Sequence, residues 1–135
     1  MSKIIIAIDG YSSTGKSTLA KMLSQYLNYR HINTGSMYRA VTLHALQNNW
    51  ITNMGSEFQI NKKSIINSID YLNLDFKSDQ NNTFKMYMNN KDVESQLKSP
   101  LVSKYVSIIS TYSVLRQKIV KIQQEIGQSK GVVME

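Results

Sequence analysis

At 135 residues, 41% of them apolar and only one a proline, the chain is long enough for one packed domain and too apolar for disorder. It holds no cysteine, which excludes a disulfide scaffold and a thiolate metal site. Its longest apolar run, Ile4 to Ile8, is far short of the roughly 20 residues of a membrane span, and nothing resembles a signal peptide, so a cytoplasmic setting without membrane partners is expected.

The net charge of +7 comes from 13 Lys and 3 Arg against nine carboxylates. Such a balance points to an anionic partner, or equally to a lysine-rich solvated surface. The lysines are scattered, with no block longer than Lys62-Lys63. That argues against a nucleic-acid patch and makes the few arginines the more informative cations.

In chain order, the isoleucine-rich run Lys3 to Asp9 predicts a central parallel strand covered on both faces. The loop "GYSSTGKST" follows, and then Leu19, Met22, Leu23, Tyr26 and Leu27 at helical spacing, read as one apolar face. "RHINT" is a candidate second strand and "GSMYRAVTLHALQNN" a second helix. Strand and helix in alternation make an α/β domain.

The pattern then changes to period two. Leu72, Leu74 and Phe76, and later Phe84, Met86 and Met88, alternate with polar neighbours, with turns at "KSDQNN" and Asn89-Asn90. Residues 67–99 are therefore read as a small antiparallel insert in a core formed by 1–66 and 100–135. Two helices follow, one with Val102, Tyr105, Val106 and Ile109 inward and Ser103, Ser107 and Ser110 as a polar stripe. The other carries Leu115, Ile119, Ile122 and Ile126 inward, with Gly127 as its stop. "GVVME" reads as a further parallel strand.

Gly10, Gly15, Lys16 and Ser17 fit the phosphate-loop pattern G-x-x-x-x-G-K-[ST] between a strand and a helix. Gly10, Tyr11, Ser12, Ser13, Thr14, Gly15, Lys16, Ser17 and Thr18 would cradle the phosphates of ATP, with the helix N-terminus behind them. Lys16 would reach the β- and γ-phosphates, and the Ser17 hydroxyl would ligate Mg2+. The competing reading is an ordinary glycine turn.

A second motif, "INTGSMYRAVT", read with "IAIDGYSSTGKST", resembles the cytidylate (CMP) kinase family, bacterial type. The resemblance continues through "NNKDVESQL" and "VSKYVSIISTYSVLRQKIVKIQQ", essentially the whole chain. It implies a P-loop NTPase-type parallel sheet with flanking helices and a nucleoside-monophosphate-binding insert at 67–99. The implied reaction moves the ATP γ-phosphate to CMP or dCMP, in a protein that is a monomer in the family.

In the resemblance, Thr34 and Arg39 hold the acceptor phosphate on the Thr34-Gly35 turn, Tyr38 lines the ribose side, and Ser107 and Arg116 read cytosine. A guanidinium suits a phosphate dianion because it forks onto two oxygens. Arg39 and Arg116 remain readable as surface charges, Ser107 as a solvent-facing serine and Tyr38 as core packing. Asp9 and Glu135 are outer-shell Mg2+ candidates. His31 and His44 show no metal-ligand spacing, and His44 reads as a packed helix residue.

Three departures stand out. Asn33 replaces the usual Asp before the Thr-Gly turn, Lys98 replaces a frequent Arg, and the chain stops at Glu135, before the family's Gly-Arg-Asp motif, lid and last strands. The expectation is a feebly active chain whose first strand is an exposed sheet edge inviting self-association. The alternatives are a catalytically incomplete nucleotide-binding fragment, a basic nucleic-acid binder, or a sibling kinase for UMP.

Overall fold

A computed structural model describes residues 2–9 and 15–135. In chain order these form β1 (Ile5–Ala7), α1 (Lys16–Leu27), β2 (Arg30–Ile32), α2 (Thr34–Gln47), β3 (Ile51–Met54), β4 (Glu57–Ile60) and α3 (Lys62–Ser68). Then come β5 (Leu74–Ser78), β6 (Phe84–Met88), β7 (Lys91–Asp92), a 3₁₀ turn (Glu94–Lys98), α4 (Pro100–Ile109), α5 (Ser113–Gly127) and β8 (Val132–Met134). The class is α/β, a parallel sheet flanked by helices with a small antiparallel sheet beside it.

The parallel sheet has the order β1-β8-β2, with Ile6 opposite Val133 and His31 opposite that same residue on the other side. Val132 and Val133 are fully buried in the middle strand. β1 is not central: among the described residues it pairs only with β8, and Ile4 and Ile5 are 55% and 48% exposed. An apolar run records that a strand prefers burial, not which neighbours cover it.

The same correction applies to α1. Its large apolar residues Leu19, Met22 and Tyr26 face outward, and the buried positions are the small Ala20 and Ser24. Gly127 ends α5 as expected, and it is buried there, where an added Cβ would lie 3.4 Å from both Ile5 Cδ1 and Met134 Cε. Beyond the helix the chain turns at Lys130 and Gly131, with φ of 55° and 69°.

The antiparallel sheet β5-β6-β7 has Leu74 opposite Met88 and Phe76 opposite Met86. Asn89 and Asn90, both at positive φ, form the two-residue loop to β7, the geometry that matches strand twist. Phe76 and Met86 pack into one continuous cluster with Met37, Val41, Ile109 and Ile119, so this sheet shares the core of the helices. Arg30 on β2 ties it down, donating from Nη2 to Asp75 Oδ1 at 2.8 Å and to the Phe76 carbonyl at 3.2 Å.

The hairpin β3–β4 was not anticipated. Its two-residue loop is Gly55-Ser56, with Gly55 at φ 75°, where a side chain would be strained. α4 starts as its sequence suggests: the Ser99 hydroxyl accepts from Val102 N at 3.2 Å, and Pro100 occupies the first helical position.

Candidate functional site

The C-terminal ends of β1, β8 and β2 lie along one edge of the sheet, the place where α/β proteins bind ligands. Gly10, Tyr11, Ser12, Ser13 and Thr14, expected to wrap the phosphates, lie outside the described residues. Gly15 caps α1 at φ 80°, and its carbonyl accepts from Leu19 N at 3.0 Å. Lys16 and Ser17 open that helix, Thr18 is exposed on its first turn, and Asp9 is exposed beyond β1.

Glu135, just past β8, joins the two sides of this edge. Its Oε1 accepts from the Ser17 hydroxyl at 2.7 Å and from Asn33 Nδ2 at 2.8 Å. Its Oε2 lies 3.1 Å from His31 Nε2, and because a carboxylate oxygen only accepts, that nitrogen carries the proton. The Glu135 side chain is 3% exposed. Burying a carboxylate this far is costly unless its oxygens are bonded, and three donors meet that need here.

Asn33 does two jobs with one amide. Its Nδ2 donates to Glu135, while its Oδ1 accepts from Ser36 N at 3.3 Å and caps α2. Gly35 leaves room beside it: a Cβ there would sit 3.2 Å from that same Oδ1 and press on the cap. An Asp at position 33 could cap the helix but could not donate to Glu135.

On the acceptor side, Arg39 is held by its Nη1, which donates to the Leu97 carbonyl at 2.9 Å and to Ser103 Oγ at 3.1 Å. The rest of its guanidinium opens on a cavity of about 320 Å³ lined by Ser36, Glu94, Leu97, Lys98 and Ser103. Glu94 is itself anchored, its Oε2 accepting from Met86 N at 2.8 Å. A guanidinium, an ammonium and two hydroxyls around one opening make a donor-rich site for an anion.

Of the residues expected at the acceptor, only Arg39 lines this cavity. Thr34 gives both its N–H and its hydroxyl to the Glu135 carbonyl, at 3.0 and 2.9 Å. Tyr38 is half-buried and packs against the core. Ser107 is exposed on α4, and Arg116 lines a separate cavity with Ser113, Gln117 and Val120.

Ser36 and Ser103 were not singled out as site residues. Ser103 had a signal, being on the same polar stripe as Ser107; Ser36 had none beyond its place in the turn. Among the described residues no group of three His, Cys, Asp or Glu could hold a metal, and no helix is long and apolar enough to cross a membrane.

A family model for cytidylate kinase matches residues 6–135. The chain is 46% identical over 136 aligned positions to a cytidylate kinase of Flavobacterium johnsoniae and 43% identical to one of Flavobacterium psychrophilum. A cytidylate kinase of Phocaeicola vulgatus is 40% identical. Each alignment covers all of this chain but only 57% or 58% of the relative, so the chain spans little more than half the length of the curated relatives it matches.

Proposed function

The chain belongs to the cytidylate kinase family, and from that premise we propose that it supplies the donor-phosphate and acceptor-phosphate sides of a kinase acting on CMP or dCMP. An oxygen of the monophosphate attacks the ATP γ-phosphorus in line, ADP leaves, and CDP or dCDP forms. No covalent enzyme intermediate is needed, so catalysis rests on positioning and on positive charge.

The observation that carries the reading is the held guanidinium of Arg39. With Nη1 fixed by Leu97 and Ser103, Nε and Nη2 remain to fork onto a phosphate in the cavity. Lys98 and the hydroxyls of Ser36 and Ser103 line the same opening. Lys16 belongs to the ATP β- and γ-phosphates, with Gly10 to Thr18 around them. For Thr34 to serve as a phosphate donor, its hydroxyl must leave the Glu135 carbonyl. Tyr38 on the ribose side, and Ser107 with Arg116 as the pair that reads cytosine, complete the assignment, with residues 67–99 as the acceptor-side insert.

The donor set fits Mg2+. Ser17 presents a hydroxyl oxygen backed by a buried carboxylate, hard ligands of the kind this ion takes. Bound there with ATP, the ion supplies charge neutralisation at the phosphates; Ser17 would hold it, with Glu135 and Asp9 behind. As the Ser17 hydroxyl donates its hydrogen bond to Glu135, its lone pairs are left to face a ligand.

The test is steady-state ADP release by the full-length protein with ATP and CMP, dCMP, UMP or AMP. Turnover on CMP and dCMP well above UMP supports the reading. Preference for UMP would make the chain part of a sibling kinase. Binding of ATP without turnover on any acceptor would leave only nucleotide binding. For residues 1–135 alone we expect feeble turnover, and we expect self-association because, among the described residues, β1 pairs only with β8 and leaves an apolar edge.

A further inference from the structure

We propose that His31 is a positioning residue for the donor-phosphate side, acting through Glu135. The inference rests on the kinase reading above and deepens it. His31 has no other role in that reading, yet its ring lies on β2 with Nε2 3.1 Å from Glu135 Oε2. It is only 16% exposed, and its partner is 104 positions away in the chain.

A buried carboxylate is held most firmly when both of its oxygens are bonded. Here Oε1 takes two donors, Ser17 Oγ and Asn33 Nδ2. Those two alone would leave Oε2 buried without a donor. His31 supplies the missing bond and thereby locks Oε1 toward Ser17. The consequence falls on the Ser17 hydroxyl: its O–H stays aimed at Glu135 Oε1, and its lone pairs stay turned away from the carboxylate. Without His31 the buried Oε2 lacks a donor, the carboxylate turns to find one, and the hydroxyl loses its fixed orientation.

The arrangement predicts a signature that simple packing would not give. Removing the His31 donor should weaken binding that needs the Ser17 oxygen and spare binding that does not. The probes are Mg2+·ADP, ADP with chelator, and CMP, each titrated calorimetrically into the full-length protein. His31→Phe keeps a ring without a donor. His31→Gln places an amide N–H near the Nε2 position.

Mg2+·ADP affinity is expected to fall about tenfold in His31→Phe, the lower end of the range for a group holding a metal ligand in place. Mg2+-free ADP and CMP should be unaffected, and His31→Gln should restore most of the loss. His31→Ala is measured in parallel, so that a folding failure of the Phe variant does not stop the test. Unchanged Mg2+·ADP affinity in a folded variant without the donor overturns the proposal. So does an equal fall for all three ligands, or His31→Gln behaving like His31→Phe. Wild-type protein that binds no Mg2+·ADP overturns the kinase reading and this inference with it, an outcome distinct from wild-type binding that ignores His31.

Discussion

Replacing Arg39 by lysine keeps the charge and removes the fork. In the structure the guanidinium has five N–H donors, and Nη1 gives one each to the Leu97 carbonyl and Ser103 Oγ. Nε and Nη2 therefore remain for two parallel bonds to a phosphate. A lysine ammonium is a single point that cannot occupy both places. If it stays on Leu97 and Ser103, the phosphate loses its fork. If it reaches the phosphate, the Leu97 carbonyl loses its charged donor. One charge-assisted bond lost at the ligand corresponds to about 1.5–3 kcal/mol. CMP affinity should then fall roughly 10- to 150-fold. Calorimetric titration of CMP and Mg2+·ADP into the full-length variant reads this directly. Arg39→Lys should weaken CMP alone, and Arg39→Ala should weaken it further. CMP affinity unchanged in Arg39→Lys, or CMP and Mg2+·ADP falling together, would refute the acceptor assignment.

Three further outcomes are expected. The Tyr105 hydroxyl is buried without a hydrogen-bond partner, so Tyr105→Phe should leave stability unchanged or raise it by about 1 kcal/mol, a few degrees in thermal unfolding; a marked loss would mean the hydroxyl has a partner. His44 lies edge-on to Trp50 and Tyr71, and burial lowers its pKa from the ordinary imidazole value. The unfolded chain therefore takes up the proton first as pH falls, and stability drops from the unfolded pKa down to the folded one. Urea midpoints between pH 7 and pH 5 should fall less in His44→Phe than in wild type, and equal slopes would contradict this. Ile5→Lys on the exposed edge of β1 should reduce self-association of the isolated 135 residues in sedimentation velocity, whereas Leu101→Lys, an exposed residue of α4, should not.

Local chemistry was the legible part of this fold. Asn89-Asn90 marked a tight turn, and the alternation of Leu74, Phe76, Met86 and Met88 an antiparallel pair, because each is set by a few neighbouring dihedrals or by one buried face. The hairpin around Gly55-Ser56 carried a partial signal, a Gly-Ser turn pair followed by alternation in Glu57, Phe58, Gln59 and Ile60, but Ile51 to Met54 on its other side do not alternate. What periodicity could not supply was the partner of each face. Leu19, Met22 and Tyr26 form a correct stripe on α1, yet the residues that α1 buries are Ala20 and Ser24. Gly127 ends α5 where the sequence suggests, but no local pattern names the neighbours it faces there, Ile5 and Met134, each 3.4 Å from an added Cβ.

The site follows the same division, and strand order explains why. Ser17 and Arg39 were legible because each stands in a short motif with its own chemistry. Glu135 had no such motif, and its role depends on β8 lying between β1 and β2. β2 runs through Asn33 directly into α2, and α1 begins opposite the end of the same sheet. A residue at the end of the middle strand can touch both helix starts at once, as Glu135 does through Ser17 and Asn33. A residue at the end of an outer strand has only one such neighbour. The departure at Asn33 gains a physical reason from that position. Its amide must donate to a carboxylate on one side and cap a helix on the other, two tasks that an ionised aspartate cannot perform together.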